Sequence, residues 1–280
     1  MKVELFSFQK EAVENLRMWV YESQGAFRRT HVPQVISFTA PTGAGKTIVM
    51  ASLIEEIFNG DDSHADERDA VFVWLFDSPE LNLQSKAKID LKADRIRLGQ
   101  CVVIEDESFD REELEDGHVY FLNTQKLGKS SNLTKHSDGR QYTIWETLQN
   151  TIVNKPDRLY FIIDEAHRGA SGNAAATATT IMQKFIKGCP ENGLSSMPIV
   201  IGMSATPERF NALVKGYTNS SIHNVVVTPD DVRKSGLLKD RIIITHPEDD
   251  KVTNEMSILQ AAVDEWQARQ IRREIMREYR

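Results

Sequence analysis

Val35 to Thr47 reads VISFTAPTGAGKT, and this stretch decides the fold. Its first half is an apolar run with β-branched residues, the pattern of a strand buried on both faces. Its second half, APTGAGKT from Ala40 to Thr47, is a glycine-rich turn. A helix is expected to follow over Lys46 to Phe58. In that order the pieces form a cradle for phosphate. Gly43 and Gly45 let backbone N–H groups curl round phosphate oxygens, and the helix N-terminus adds partial positive charge there. Thr42, Gly43, Ala44, Gly45, Lys46 and Thr47 are therefore the expected nucleotide-binding set. Lys46 would reach the β- and γ-phosphates, and Thr47 would place its hydroxyl on Mg²⁺. The general pattern begins with Gly where this chain has Ala40, while Gly45-Lys46-Thr47 is intact.

Outward from this loop, short apolar runs alternate with helical stretches. Strands are expected at Ala70 to Phe76 (AVFVWLF), from Cys101 (CVVIE) and from Val119 (VYFLN). Others are expected at Leu159 to Asp164 (LYFIID), Pro198 to Met203 (PIVIGM), Ile222 to Val227 and Arg241 to Thr245. Helices are expected over Glu80 to Arg95, over Arg140 to Val153, and through Met182 and Phe185. Such alternation builds an α/β fold with a mostly parallel central sheet flanked by helices. Asn254 to Arg280 reads as one long helix whose apolar stripe shifts after Trp266. It stops in an Arg-rich pattern without a capping residue, as a boundary inside a longer chain would.

The strand LYFIID runs into Asp164-Glu165-Ala166-His167. A carboxylate at the end of a buried strand is well placed to hold Mg²⁺ beside a phosphate loop. Asp164 is the expected metal residue, Glu165 the group that orients and deprotonates water, and His167 a hydrogen-bonding reporter of the γ-phosphate.

The 280 residues are 40% apolar and 27% charged, an ordinary globular mixture for one large or two small domains. No apolar run approaches the roughly 20 residues of a bilayer span, and the acid-bearing N-terminus is not a signal peptide. Cys101 and Cys189 stand alone, which excludes a disulfide scaffold or zinc ribbon and fits a reducing cytoplasmic home. The net charge is −7. Glu105 to Asp116 holds eight acids and one Arg, so this segment accounts for the whole imbalance. It and Asn59 to Asp69 read as solvated acidic loops. Net charge therefore does not exclude a nucleic-acid partner.

Phosphate loop, Asp164 to His167 and Ser204-Ala205-Thr206 together resemble the first motor domain of a superfamily 2 helicase or translocase, from about Leu5 to Arg241. The resemblance implies a single RecA-like P-loop NTPase lobe over residues 1–250, with ATP and Mg²⁺ as cofactors. Residues 251–280 would be a linker helix toward a second RecA-like lobe. Phe8-Gln9 resembles the family's upstream glutamine motif, in which Gln reads the adenine edge. An amphipathic N-terminal helix would also explain it. Ser204, Ala205 and Thr206 would couple nucleotide state to nucleic-acid contact through hydroxyls bonded to the acidic motif. A Ser/Thr cap before Pro207 is the plainer reading, and both can hold. Pro79 and Gln84 in SPELNLQSK, and Asn123, Thr124 and Gln125 in FLNTQKL, resemble segments that contact nucleic acid; alternatively they are loops or caps.

DEAHRG at Asp164 to Gly169 and SGLLKD at Ser235 to Asp240 look most like the restriction subunit of type III restriction enzymes. That implies DNA over RNA and a methyltransferase (modification) subunit as partner. After Thr206 the 74 remaining residues are too few for a second lobe with its arginine finger. Two other classes compete: a P-loop switch that controls a partner without translocation, and an adaptor lobe without activity. Intact Lys46, Asp164 and Glu165 argue against the last.

Overall fold

The computed structural model describes residues 1–106, 108–128, 131–164, 181–206 and 221–237, with isolated positions at 210, 214, 256, 259–260, 262–264 and 266–267. Glu165, His167 and the expected strand Arg241 to Thr245 lie outside the described residues, as does most of the expected helix Asn254 to Arg280. The chain divides into two compact units, Met1–Leu238 and Lys239–Arg280. In the second, the described positions are helical.

The first unit opens with α1 (Ser7–Thr30), whose buried face carries Phe8, Ala12, Val13, Leu16, Val20 and Phe27. It ends at His31, which turns left-handed at φ 54° and donates its N–H to the Phe27 carbonyl. Then come β1 (Gln34–Thr39), α2 (Lys46–Asn59), β2 (Val71–Phe76), α3 (Pro79–Lys92), β3 (Cys101–Val103) and β4 (His118–Asn123). After these follow α4 (Ile144–Asn154), β5 (Leu159–Asp164), α5 (residues 181–187), β6 (Ile199–Ser204), β7 (Ser221–Val226) and α6 (Pro229–Lys234). Seven strands form one sheet in the order β3-β4-β2-β5-β6-β1-β7, and every pairing is parallel.

Every residue of β1, β2, β5 and β6 is buried, which is why these strands are continuous apolar runs rather than alternating ones. Their side chains still alternate between two cores. Phe72 and Trp74 of β2 pack with Leu16, Met50 and Ile54 from α1 and α2. Val73 and Leu75 pack with Leu148 of α4 and Phe185 of α5. Helices thus cover both faces, as the alternation predicts.

Three differences from the sequence pattern have local causes. Helix α4 starts at Ile144 rather than Arg140, because Thr143 and Glu146 form a reciprocal capping box there. Arg140, left outside the helix, turns inward: its buried guanidinium donates to the carbonyls of Phe109 (2.6 Å) and Asp106. The two acidic stretches are not simple solvated loops. In the first, Asp61 and Glu67 lie 3.3 and 3.6 Å from the guanidinium of Arg17, which is 2% exposed. Glu67 also accepts from Tyr160 Oη at 2.6 Å and from Gln24. In the second, Glu113 and Asp116 pair with Lys155 at 3.0 and 2.9 Å, and Asp110 accepts the backbone N–H groups of Gln141 and Tyr142. Acids that are scattered in sequence thus meet cations and donors from distant elements. Among the described residues no helix is long and apolar enough to cross a membrane.

Candidate active site

The phosphate loop leaves β1 at its carboxyl end and enters α2. Gly43 and Gly45 have φ of +88° and +83°, values that L side chains rarely adopt. Helix α2 starts with Gly45 in the N-cap position, without a side-chain cap and without an acid in its first turn. Its end is thus suited to an anion. Ala40 has no positive φ and is buried in the core, and its N–H donates to the Ser204 carbonyl at 3.1 Å. The departure from the general pattern therefore falls where glycine's conformational freedom is not needed. Lys46 Nζ donates to the Ala40 carbonyl at 3.1 Å, folding the side chain over the loop.

Sheet order brings the other motifs to this loop. Strands β5, β6 and β1 are adjacent, with Asp164 opposite Met203 and Ser204 opposite Thr39. Asp164, Ser204 and the loop therefore share one edge of the sheet, at the carboxyl ends where α/β folds bind ligands. Asp164 is 5% exposed, and Trp74 Nε1–H donates to its Oδ2 at 3.3 Å. A cleft of about 400 Å³ opens here. It is lined by Thr42, Gly43, Gly45, Lys46, Thr47 and Asp164. Phe76 and a stripe of α3 (Leu81, Gln84, Ser85 and Lys88) complete the lining. The donor set fits a magnesium triphosphate: a hydroxyl and one carboxylate for a metal that keeps waters and shares phosphate oxygens.

The expected residues fall into different places. Gln9 is 5% exposed; its Oε1 accepts from the Phe6 N–H at 3.1 Å and its Nε2 donates to the Ala44 carbonyl at 2.9 Å. Its amide is thus committed to the helix start and the phosphate loop, with one donor and one acceptor site remaining. Phe8 is buried in the α1 core, stacked near Phe6 at 6.0 Å. Ser204 Oγ donates to the Thr206 carbonyl at 2.7 Å and accepts the Thr206 N–H at 3.2 Å. That is a local hydroxyl turn. Ala205 lies between the two, half-buried.

Gln84 lines the phosphate cleft, where the expected role was at a nucleic-acid surface. Asn123 and Thr124 are both 2% exposed, and Asn123 Oδ1 accepts the Gln125 N–H at 2.7 Å as a cap. The capping bond matches the alternative reading of this segment as a cap. Gln125 is exposed and donates to the Asp77 carbonyl at 3.2 Å; Pro79 is half-buried at the first turn of α3. Trp74, Phe76, Ser85 and Lys88 escaped the sequence reading. The i, i+3, i+4, i+7 spacing of the stripe was visible, but not what it faces.

This fold and this cluster of strand ends define a RecA-like P-loop lobe of the kind found in helicase-type motor domains. The family model described as "Type III restriction enzyme, res subunit" matches residues 2–209, and the chain belongs to that family. No curated protein sequence matches it significantly. Among solved structures it is similar to S. cerevisiae Dbp5 bound to RNA and ADP BeF3, at 12% identity and TM-score 0.39, covering 79% of this chain and 50% of that one. A variant of S. cerevisiae Dbp5 bound to the same ligands is 11% identical at TM-score 0.42, covering 81% and 51%. The chain thus spans about half the length of the solved structures it matches.

Proposed function

We propose that this chain is the ATP-binding lobe, residues 1–250, of a cytoplasmic nucleic-acid translocase of the type III restriction class. DNA is the favoured track. One observation carries this reading: the phosphate loop, Asp164 and Ser204-Ala205-Thr206 meet at the carboxyl ends of three adjacent parallel strands. Family membership supports the restriction class and, through it, DNA and a methyltransferase subunit as partners.

Bound ATP–Mg²⁺ supplies a phosphoryl group that can be transferred to water. The protein's part is positioning and electrostatics. Lys46 and the N–H groups of residues 43–47 would hold the phosphates, and Thr47 with Asp164 would hold the metal. Trp74 fixes the Asp164 carboxylate by its indole N–H. Glu165 would accept the proton of the attacking water, and His167 would hydrogen-bond toward the terminal phosphate. Gln9 ties the adenine side of the site to the phosphate loop. Ser204 and Thr206, next to Asp164, respond to nucleotide state; Gln125, Pro79 and the backbone of Asn123 and Thr124 face the nucleic acid. Residues 251–280 lead to a second lobe that supplies an arginine finger.

ATP hydrolysis by the protein with its second lobe, with and without duplex DNA or RNA, tests the reading. Stimulation is expected with DNA, and no stimulation by any nucleic acid would overturn it. Lys46→Ala should lose ATP binding and most turnover. Glu165→Gln should keep binding and stall hydrolysis. Equal loss of binding in both variants contradicts the assigned roles.

A further inference from the structure

Helix α3 brings its own cation to the cleft. Leu81, Gln84, Ser85 and Lys88 lie at i, i+3, i+4 and i+7 on α3, one stripe of the helix, and all four line the cleft together with the phosphate loop. Among the described residues, Lys46 and Lys88 are the two cationic ones that line it. Two residues before Lys88, Lys86 is held by Asp90 at 2.5 Å. Lys88 itself has no hydrogen bond or ion pair with the described residues, and its side chain is exposed.

Its neighbours in the cleft say which phosphate it would meet. Lys88 shares the lining with Lys46, Thr47 and Asp164. The loop's N–H groups would cradle the inner phosphates, Lys46 would reach the outer two, and Thr47 with Asp164 would hold the metal. A cation in that lining is placed for the outer end of the phosphate chain.

We infer that Lys88 binds the terminal phosphate of the nucleotide from the α3 side, so that preference for triphosphate over diphosphate is set partly by α3. The inference rests on the ATP reading of the cleft and adds a recognition residue to it. It also makes α3 a link: Pro79 at its first turn faces the proposed nucleic acid, and Lys88 lies two and a half turns away, about 13 Å along the axis.

Affinities of the full chain for Mg²⁺–ADP and for a non-hydrolysable Mg²⁺–ATP analogue, measured by isothermal titration, test this. Lys88→Ala should weaken the triphosphate roughly ten-fold, the loss of one charge-assisted hydrogen bond, and change ADP by less than about two-fold. Lys88→Arg should restore most of the triphosphate affinity. Thermal melting of each variant should match the wild type, since the side chain is exposed. An equal effect on both nucleotides, or none on either, overturns the role of Lys88 while wild-type binding upholds the ATP reading. Failure of the wild type to bind either nucleotide overturns both.

Discussion

Gly202 sits in the middle of β6 beneath Phe210, and a Cβ built there would lie 1.8 Å from the Phe210 ring. No rotamer of so buried a ring absorbs that overlap without shifting its neighbours. Gly202→Ala should therefore destabilise the protein by about 1–3 kcal/mol in urea unfolding, with part regained in a Gly202→Ala/Phe210→Leu double variant. Gly45 is constrained differently. Its φ is +83° and an added Cβ would lie 2.6 Å from Gln9 Nε2. Gly45→Ala should cost ATP affinity at least about ten-fold by titration calorimetry, because left-handed backbone penalises the new side chain by roughly 1–2 kcal/mol and the cradle must distort. Cys101 gives a chemical check on burial. Desolvation, with the nearby Asp90 charge adding to it, pushes its thiol up to about 12. The thiolate is the reactive form, so Cys101 should resist labelling by a thiol reagent at neutral pH until the protein is unfolded.

At the scale of elements, charge pairing holds the acidic segment against α4. Hydrogen bonds from the Gln141 and Tyr142 N–H groups hold the Asp110 carboxyl below its ordinary value of 3.8. Hydrogen bonds from Asn154 and Lys155 hold Glu113 below 4.5. For Lys155, burial lowers the ammonium pKa, but its bonds to Asp116 and Glu113 outweigh that and raise it above 10.5. Carboxylates depressed in the folded state add stability above about pH 4.5, and that contribution is lost as pH falls through 3.8 and below. The raised Lys155 adds stability below pH 10.5 that is lost above it. Denaturant midpoints should therefore be flat through neutral pH and fall at both ends, with Asp110→Asn flattening the acid limb. Failure of that variant to change the acid limb would remove Asp110 from the account. Arg17 staples the other acidic stretch to α1. Arg17→Ala leaves Asp61 and Glu67 without their buried cation and should cost roughly 3 kcal/mol.

For the whole molecule the unit boundary at Leu238 makes a physical claim. A chain ended after Leu238 should melt at the temperature of the longer one, because the described strands and the described residues of both cores lie within Met1–Leu238. Loss of cooperative melting in the shorter chain would show that Lys239–Arg280 is part of the same folding unit. The 280 residues should also turn ATP over slowly on their own. On the proposed reading, the arginine finger that offsets charge on the transferring phosphoryl group comes from a second lobe, an effect worth about 10³–10⁵ in rate. Robust unwinding by these residues alone would contradict that dependence.

Local patterns by themselves determined the strand-loop-helix order at Val35 to Thr47, the buried strands and the parallel α/β class. Burial on both faces forces continuous apolar runs, and positive φ forces glycine at positions 43 and 45. These constraints act within a few residues, so they are written in the chain. What lies across the fold was decided elsewhere. Strand order alone brings Asp164 and Ser204 beside a loop more than 100 residues earlier. The same order brings an ordinary helical stripe on α3 into the lining of a cleft. Periodicity tells which residues share a face. Only tertiary packing decides what that face meets, because the partner comes from another part of the chain.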